Sequence, residues 1–120
     1  MTATVLHRSV LLTLLIAAAA AFAIWALSPW ITGYQEPWDG PGSYYFFALL
    51  CAGAGSGFAT AKPLWAHYVG SLFGQLLYGF LFLPIGPLAA VGLLFLVVWS
   101  LTFLVGAYIA VLVRTRLMGR

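Results

Sequence analysis

Residues 63–113 read PLWAHYVGSLFGQLLYGFLFLPIGPLAAVGLLFLVVWSLTFLVGAYIAVLV and contain no charged side chain. A helix crosses the roughly 30 Å hydrocarbon core of a bilayer with about 20 residues, so this stretch is more than twice as long as one crossing needs. The segment LPIGP at 83–87 supplies a turn, because its two prolines cannot continue the hydrogen-bond ladder of a helix. The stretch therefore predicts a third membrane span at 64–83 and a fourth at 88–113.

Two further apolar runs precede this stretch. They predict a first span at 10–29 and a second at 43–61. An outer loop at 30–42 joins them and contains all of the stretch GYQEPWDGPGS (33–43) except Ser43. Only helices and closed barrels satisfy their backbone groups in lipid, and these runs lack the alternation of barrel strands. We therefore predict an all-α integral membrane protein, with four transmembrane helices in an antiparallel bundle that forms one domain over residues 1–120.

The composition agrees with a membrane location. Hydrophobic residues make up 64% of the 120 residues and charged residues 6%, whereas about 25% charged residues is usual in soluble domains. The mean hydropathy is +1.07. The net charge of +3 comes without a basic cluster, so nucleic acid is not an expected partner and membrane lipid is.

The few charges set the orientation of the predicted spans. Four spans place all five cations on one side of the membrane and both acids on the other: Arg8, Lys62, Arg114, Arg116 and Arg120 against Glu36 and Asp39. The positive-inside rule then puts both termini in the cytoplasm of a multi-pass protein of the cell inner membrane. A rival interpretation is that the first span is a cleaved signal peptide, since AFA precedes Ile24, although the apolar run is long for one.

The two carboxylates and the single cysteine are candidate sites. Glu36 and Asp39 could bind a cation or a partner, but a hard cation such as calcium usually takes six or more oxygen ligands. We expect a solvated outer loop, with Asp39 near the start of the second helix. Cys51 is the only cysteine, so it predicts neither a disulfide nor a metal centre. We expect no metal, no cofactor and no enzymatic activity, because the serines lack a base and an orienting acid.

The third span carries a stripe of polar and small residues along one helical face, and the second span carries a shorter one. Their members are His67, Gly70, Ser71, Gly74, Gln75 and Tyr78 on the third span, and Gly53, Ser56, Gly57 and Thr60 on the second. Each stripe contains a GxxxG spacing, which lets helix backbones approach closely in lipid. Because the TAKP connection is short, we predict that these two spans form a tight hairpin with interhelical hydrogen bonds.

These stripes leave the function open. The favoured prediction is a protein that acts through helix–helix interaction, as a homo-oligomer or as an accessory subunit of a larger membrane complex. The alternative is an oligomeric channel or facilitator for a small neutral solute or anion, lined by the polar residues of the stripes. A third possibility is a haem- or quinone-associated subunit that uses His67, although Trp65 and Tyr68 beside this residue favour an interfacial belt.

Overall fold

The computed structural model describes residues 3–34, 42–60, 63–83, 86 and 89–117, and these residues form four α-helices. The helices are α1 (Ala3–Ile31), α2 (Gly42–Ala59), α3 (Leu64–Phe82) and α4 (Ala89–Leu117). The predicted all-helical fold is thus confirmed. Two segments, Ser9–Ile31 in α1 and Ala90–Leu117 in α4, are long and apolar enough to cross a membrane, judged by length and composition alone.

Helix α1 extends beyond the predicted span 10–29 at both ends and passes through Pro29. Proline is tolerated there because it removes only one N–H donor, near the end of the helix. The amides of Thr32 and Gly33 still donate to the carbonyls of Ser28 and Pro29. The Thr32 hydroxyl donates to the Ser28 carbonyl over 2.9 Å. Gly33 follows with φ +83°, a conformation that favours glycine, and it ends the helix.

The connections from α2 to α3 and from α3 to α4 are short. Pro63 lies just before α3 in an extended conformation, with φ −82° and ψ 148°. Helix α3 ends at Phe82, and the Leu83 amide donates to the Gly79 carbonyl. Much of the predicted LPIGP turn lies outside the described residues. Helix α4 begins at Ala89 and runs one turn beyond the predicted span, so that Arg114 and Arg116 lie in its last turn, where cations favour the helix dipole.

The helices pair in an order that differs from their order in the chain. Helix α1 packs most closely on α3, and α2 packs most closely on α4. Smaller contacts join α3 to α4 and α1 to α2. The backbones of α2 and α3 approach each other at few points, and in the described parts of α1 and α4 no Cα atoms lie within 8 Å of each other. Around the bundle the order is therefore α1, α3, α4, α2, with α2 and α3 on a diagonal.

The interior is lined by small and aromatic residues, and the outer surface is apolar. The core contains Ala17, Ala21, Ile24, Trp25, Tyr45, Leu49, Leu96 and Phe103. Polar side chains are buried as well, and these are Thr13, Ser28, Ser56, His67, Ser71, Gln75 and Ser100. Large apolar side chains on all four helices face outward instead. This inverted distribution of polarity is what a helix bundle in lipid requires, because lipid cannot hydrogen-bond to polar groups.

Candidate functional site

The polar stripe of α3 lies in the interior of the protein. The buried residues of α3 are Ala66, His67, Gly70, Ser71, Gly74 and Gln75, so all but Ala66 belong to the stripe. Tyr78, at the end of the stripe, is half-buried, and its ring packs edge-on against Phe22 at a centroid distance of 5.2 Å. The opposite face of α3 is exposed and apolar.

Gln75 is the centre of a hydrogen-bond network that reaches every helix. Its Oε1 accepts from Trp25 Nε1 of α1 over 2.8 Å and from the Tyr45 hydroxyl of α2. Its Nε2 donates to Ser100 Oγ of α4 over 2.9 Å and to the Ser71 carbonyl of α3 over 3.1 Å. A glutamine amide has two acceptor and two donor positions, so these four bonds use its full capacity. One buried side chain therefore connects all four helices.

The aromatic partners of Gln75 pack against one another. The Trp25 ring stands edge-on to the Tyr45 ring at a centroid distance of 6.3 Å, and the Tyr45 ring lies 5.0 Å from that of Trp99. These rings surround the polar network with apolar surface. Hydrogen bonds are electrostatically stronger in such a low-dielectric setting, and an unpartnered polar atom there is expensive.

A second buried polar pair joins α2 to α3. Ser56 Oγ and His67 Nδ1 are 2.8 Å apart, and His67 is fully buried. The prediction that His67 belongs to an interfacial belt is therefore wrong. Trp65 is exposed, as a belt residue would be, but His67 points the other way. Its ring is accommodated in the interior because Ser56 gives it a hydrogen-bond partner.

The glycines of the stripes do not bring α2 and α3 together as predicted. A Cβ atom at Gly53 would overlap with the Phe103 carbonyl of α4, and one at Gly57 would lie 2.5 Å from the Ala107 oxygen. On α3, Gly70 and Gly74 lie instead against the backbone of α1, at Leu14 and Ala18 respectively. The GxxxG spacing therefore marks close backbone approach, but each glycine pair faces a helix two elements away in the chain.

The glycine contacts also define helix direction. Moving four residues along α3, from Gly70 to Gly74, moves the contact four residues along α1, from Leu14 to Ala18. The contacts of α2 advance along α4 in the same way. The two close pairs, α1 with α3 and α2 with α4, are therefore both parallel, and we call them the two tight pairs.

The remaining residues of the stripes bond within their own helices. Thr60 Oγ1 donates to the Ser56 carbonyl over 3.3 Å, and Ser71 Oγ donates to the Tyr68 carbonyl over 2.7 Å. Hydroxyls commonly satisfy themselves in this way within membrane helices. Neither Thr60 nor Ser71 offers its hydroxyl to a neighbouring helix through these bonds.

Sequence reasoning missed several partners in the interior. Tyr44 donates its hydroxyl to the Ile24 carbonyl over 2.6 Å, and Tyr68 donates to the Val97 carbonyl over 2.8 Å. Ser100, Trp25 and Tyr45 were missed as partners of Gln75. A usable signal existed for Ser100 and Trp25, since each is a hydrogen-bonding residue within a long apolar run, where such groups need a partner.

The two acids and the cysteine are the remaining candidate residues from the sequence. Glu36 and Asp39 lie outside the described residues. Within the described residues, no group of three or more histidine, cysteine or acidic side chains could hold a metal ion. Cys51 is exposed on the outer face of α2. It borders an open groove of about 570 Å³ between the end of α1 and the start of α2, lined by Ile31, Thr32, Ser43, Tyr44, Phe47, Ala48 and Cys51.

Comparisons with known proteins identify no relative of this chain. No protein-family model matches the chain, and no curated protein or solved structure matches it significantly. The geometry of the buried residues is therefore the basis for any functional conclusion.

Proposed function

We propose that this chain is a four-span protein of the cell inner membrane that acts through helix–helix interaction, either as a homo-oligomer or as an accessory subunit of a larger membrane complex. The observation that carries the proposal is the Gln75 network. Its four hydrogen bonds go to all four helices, so its polar groups are engaged in holding the protein together. The surface left for a partner is apolar.

The lengths of the two middle helices support four spans. Helix α2 has 18 residues and α3 has 19, which corresponds to about 27–29 Å at 1.5 Å per residue, close to the roughly 30 Å hydrocarbon core. The polar residues of α3 lower its mean hydropathy, but they face inward. Its outward face carries Trp65, Phe73 and Phe80, all exposed, which suits contact with lipid.

The distribution of charge supports cytoplasmic termini. Arg114 and Arg116 lie in the last turn of α4. The acids Glu36 and Asp39 come between Tyr34 and Gly42, in the connection from α1 to α2. The start of α2 and the end of α4 lie at opposite ends of the protein, because these two helices are parallel. Cations on one side and acids on the other follow the positive-inside rule.

Labelling of single cysteines tests this orientation. In a Cys51→Ala background, a cysteine at Gly40 is expected to react with a membrane-impermeant thiol reagent in intact cells. A cysteine at Gly119 is expected to react only after the membrane is opened. Reaction of both from outside would contradict the proposed topology.

A channel or facilitator is the competing function. Ser56, Ser71, Gln75 and Ser100 lie in the interior, which is where a polar path would run. Their hydrogen bonds weigh against a path, because a permeating solute would have to break bonds that these residues make within the protein. We regard this function as the outcome to be excluded by experiment.

Purification from the native membrane in mild detergent separates these functions. The interaction proposal expects a mass above that of the monomer with its detergent, made up either of more copies of this chain or of a co-purifying membrane protein. A solitary monomer that conducts a solute in liposomes would refute it. A visible haem absorption band in the same preparation would favour the haem-associated subunit.

A further inference from the structure

The close backbone contacts all connect one half of the chain to the other. We define the N-terminal half as α1 and α2 and the C-terminal half as α3 and α4, divided at residues 60–63. Among the described glycines, those with a backbone neighbour too close for a Cβ atom are Gly53, Gly57, Gly70, Gly74 and Gly106, and each meets a residue of the opposite half. Each half therefore presents a face shaped for the other half.

Contacts within a half are looser. Helices α1 and α2 share a smaller contact than either shares with its tight partner, and the same holds for α3 and α4. A direct hydrogen bond from α2 to α1 is that of Tyr44 with the Ile24 carbonyl. Bonds from α3 to α4 are those of Tyr68 and Gln75. Each half therefore depends on the opposite half for its close packing.

The connection between the halves has little slack. Helix α2 ends at Ala59 and α3 begins at Leu64, and a chain of five steps reaches at most about 17 Å. The two helices lie on a diagonal of the bundle, which is about 11–14 Å when neighbouring helices pack 8–10 Å apart. Pro63 is already extended. A short connection between two complementary halves is a geometry that favours exchange between copies.

We propose that a second copy of this chain can supply the complementary half. In this half-exchanged dimer, the C-terminal half of one copy packs on the N-terminal half of the other, with residues 60–63 as the hinge. The glycine contacts and the bonds of Gln75 with Trp25 and Tyr45 are then re-formed between copies. The bonds of Gln75 with Ser71 and Ser100 stay within the C-terminal half. The inference rests on the homo-oligomeric form of the proposed function and names the surface through which the copies meet.

Cross-linking between two differently tagged full-length copies tests the exchange. Both copies carry Cys51→Ala. One also carries Phe22→Cys and the other Tyr78→Cys, at positions whose rings face each other between α1 and α3. A short bifunctional thiol reagent is added to the native membranes, and products of twice the monomer mass that carry both tags are measured on a denaturing gel.

The matched control uses two positions within one half. Copies with Ile24→Cys and Tyr44→Cys place the thiols on α1 and α2, whose contact stays within one chain when the halves exchange. The half-exchanged dimer therefore predicts a doubly tagged product for the pair at 22 and 78 and none for the pair at 24 and 44. Equal yields from the two pairs would indicate random collision and overturn the proposal.

The mass of the uncross-linked protein separates failure of the exchange from failure of the proposed homo-oligomer. A dimer without the product at 22 and 78 would mean that copies meet through their outer faces, which overturns the exchange alone. A monomer without the product overturns both the exchange and the homo-oligomer.

A second variant tests the hinge. Inserting Gly-Ser-Gly-Ser between Ala61 and Lys62 gives the chain enough length to close on itself easily. The yield of the product at 22 and 78 is then expected to fall several-fold. An unchanged yield would overturn the role given to the connection.

Discussion

Two kinds of contact hold this protein together, and they lie in different places. Within each tight pair, glycines let the backbones of parallel helices approach closely. Between the tight pairs, side chains reach across through hydrogen bonds, and we call this set the polar seam. Its bonds are made by Tyr44, Tyr45, Ser56, Tyr68 and Gln75 with partners in the opposite pair. Small residues therefore build the pairs, and polar residues join them.

The proposed membrane location accounts for this difference through the physics of helices in lipid. Apolar side chains gain little from each other there, because lipid tails are equally apolar, so association depends on close packing and on hydrogen bonds. Close packing of two backbones requires residues without large side chains. Hydrogen bonds between helices require polar side chains long enough to reach the neighbouring helix. The two mechanisms cannot occupy the same residues. In this protein the glycine contacts lie within the tight pairs, and most of the described interhelical hydrogen bonds lie between them. The bond from Trp25 to Gln75 lies instead within a tight pair, α1 with α3.

The largest expected effect comes from filling a glycine contact. Gly74→Leu would place a side chain against the Ala18 carbonyl, so the α1–α3 pair must separate. We expect the free energy of unfolding, measured in mixed detergent micelles, to fall by about 3 kcal/mol. Gly79→Leu is the matched control on the same helix, since nothing lies within 4 Å of its Cβ position. Equal losses in the two variants would contradict close packing at Gly74.

The same comparison applies to the second tight pair. Gly53→Leu would meet the Phe103 carbonyl, while Gly55→Leu, two residues further along α2, meets nothing within 4 Å. We expect about 3 kcal/mol of destabilisation for Gly53→Leu and a change within about 0.5 kcal/mol for Gly55→Leu. If Gly55→Leu were the damaging substitution, the pairing of α2 with α4 would be wrong.

Removing the centre of the polar seam is expected to have an intermediate effect. Gln75→Leu deletes the acceptor shared by Trp25 and Tyr45 and the donor to Ser100. A single interhelical hydrogen bond in a membrane is worth about 0.6 kcal/mol. With buried groups on three other helices affected, we expect about 2 kcal/mol. Ser71→Ala is the control, because the Ser71 hydroxyl bonds within its own helix, and a loss as large as that of Gln75→Leu would refute the network.

The smallest effect is expected from a single bond of the seam. Tyr44→Phe removes only the hydrogen bond to the Ile24 carbonyl, so we expect a loss of about 0.6 kcal/mol. Tyr108→Phe, at a half-exposed site on α4, should change the stability by less. A loss from Tyr44→Phe as large as that from Gly74→Leu would reverse the order of the two kinds of contact.

The sequence revealed the elements of this structure better than their pairing. Uncharged runs and LPIGP predicted four helices, and the period of α3 predicted which face would carry its polar residues. The partners could not be predicted, because a GxxxG spacing specifies a face that admits a close neighbour and does not say which neighbour. The short TAKP connection made α2 and α3 appear adjacent, whereas they lie on a diagonal.

The candidate site was harder to predict for the same reason. Gln75 stood out in the sequence, but its role depends on Trp25, Tyr45 and Ser100, which lie 50, 30 and 25 residues away along the chain. His67 was placed at the interface on the basis of its aromatic neighbours in the sequence. Its partner Ser56 lies on another helix, and only the packing brings the two together.

The central claim is that the interior polar residues join helices and do not line a path for solutes. Ser100→Cys in a Cys51→Ala background tests it most directly, since Ser100 is fully buried and a thiol is a small change. The account predicts that a small, membrane-impermeant thiol reagent modifies this cysteine only after the protein is unfolded, under conditions that label a cysteine at Gly40. Modification of Ser100→Cys in the folded protein at a rate close to that at Gly40 would contradict the account and favour the channel.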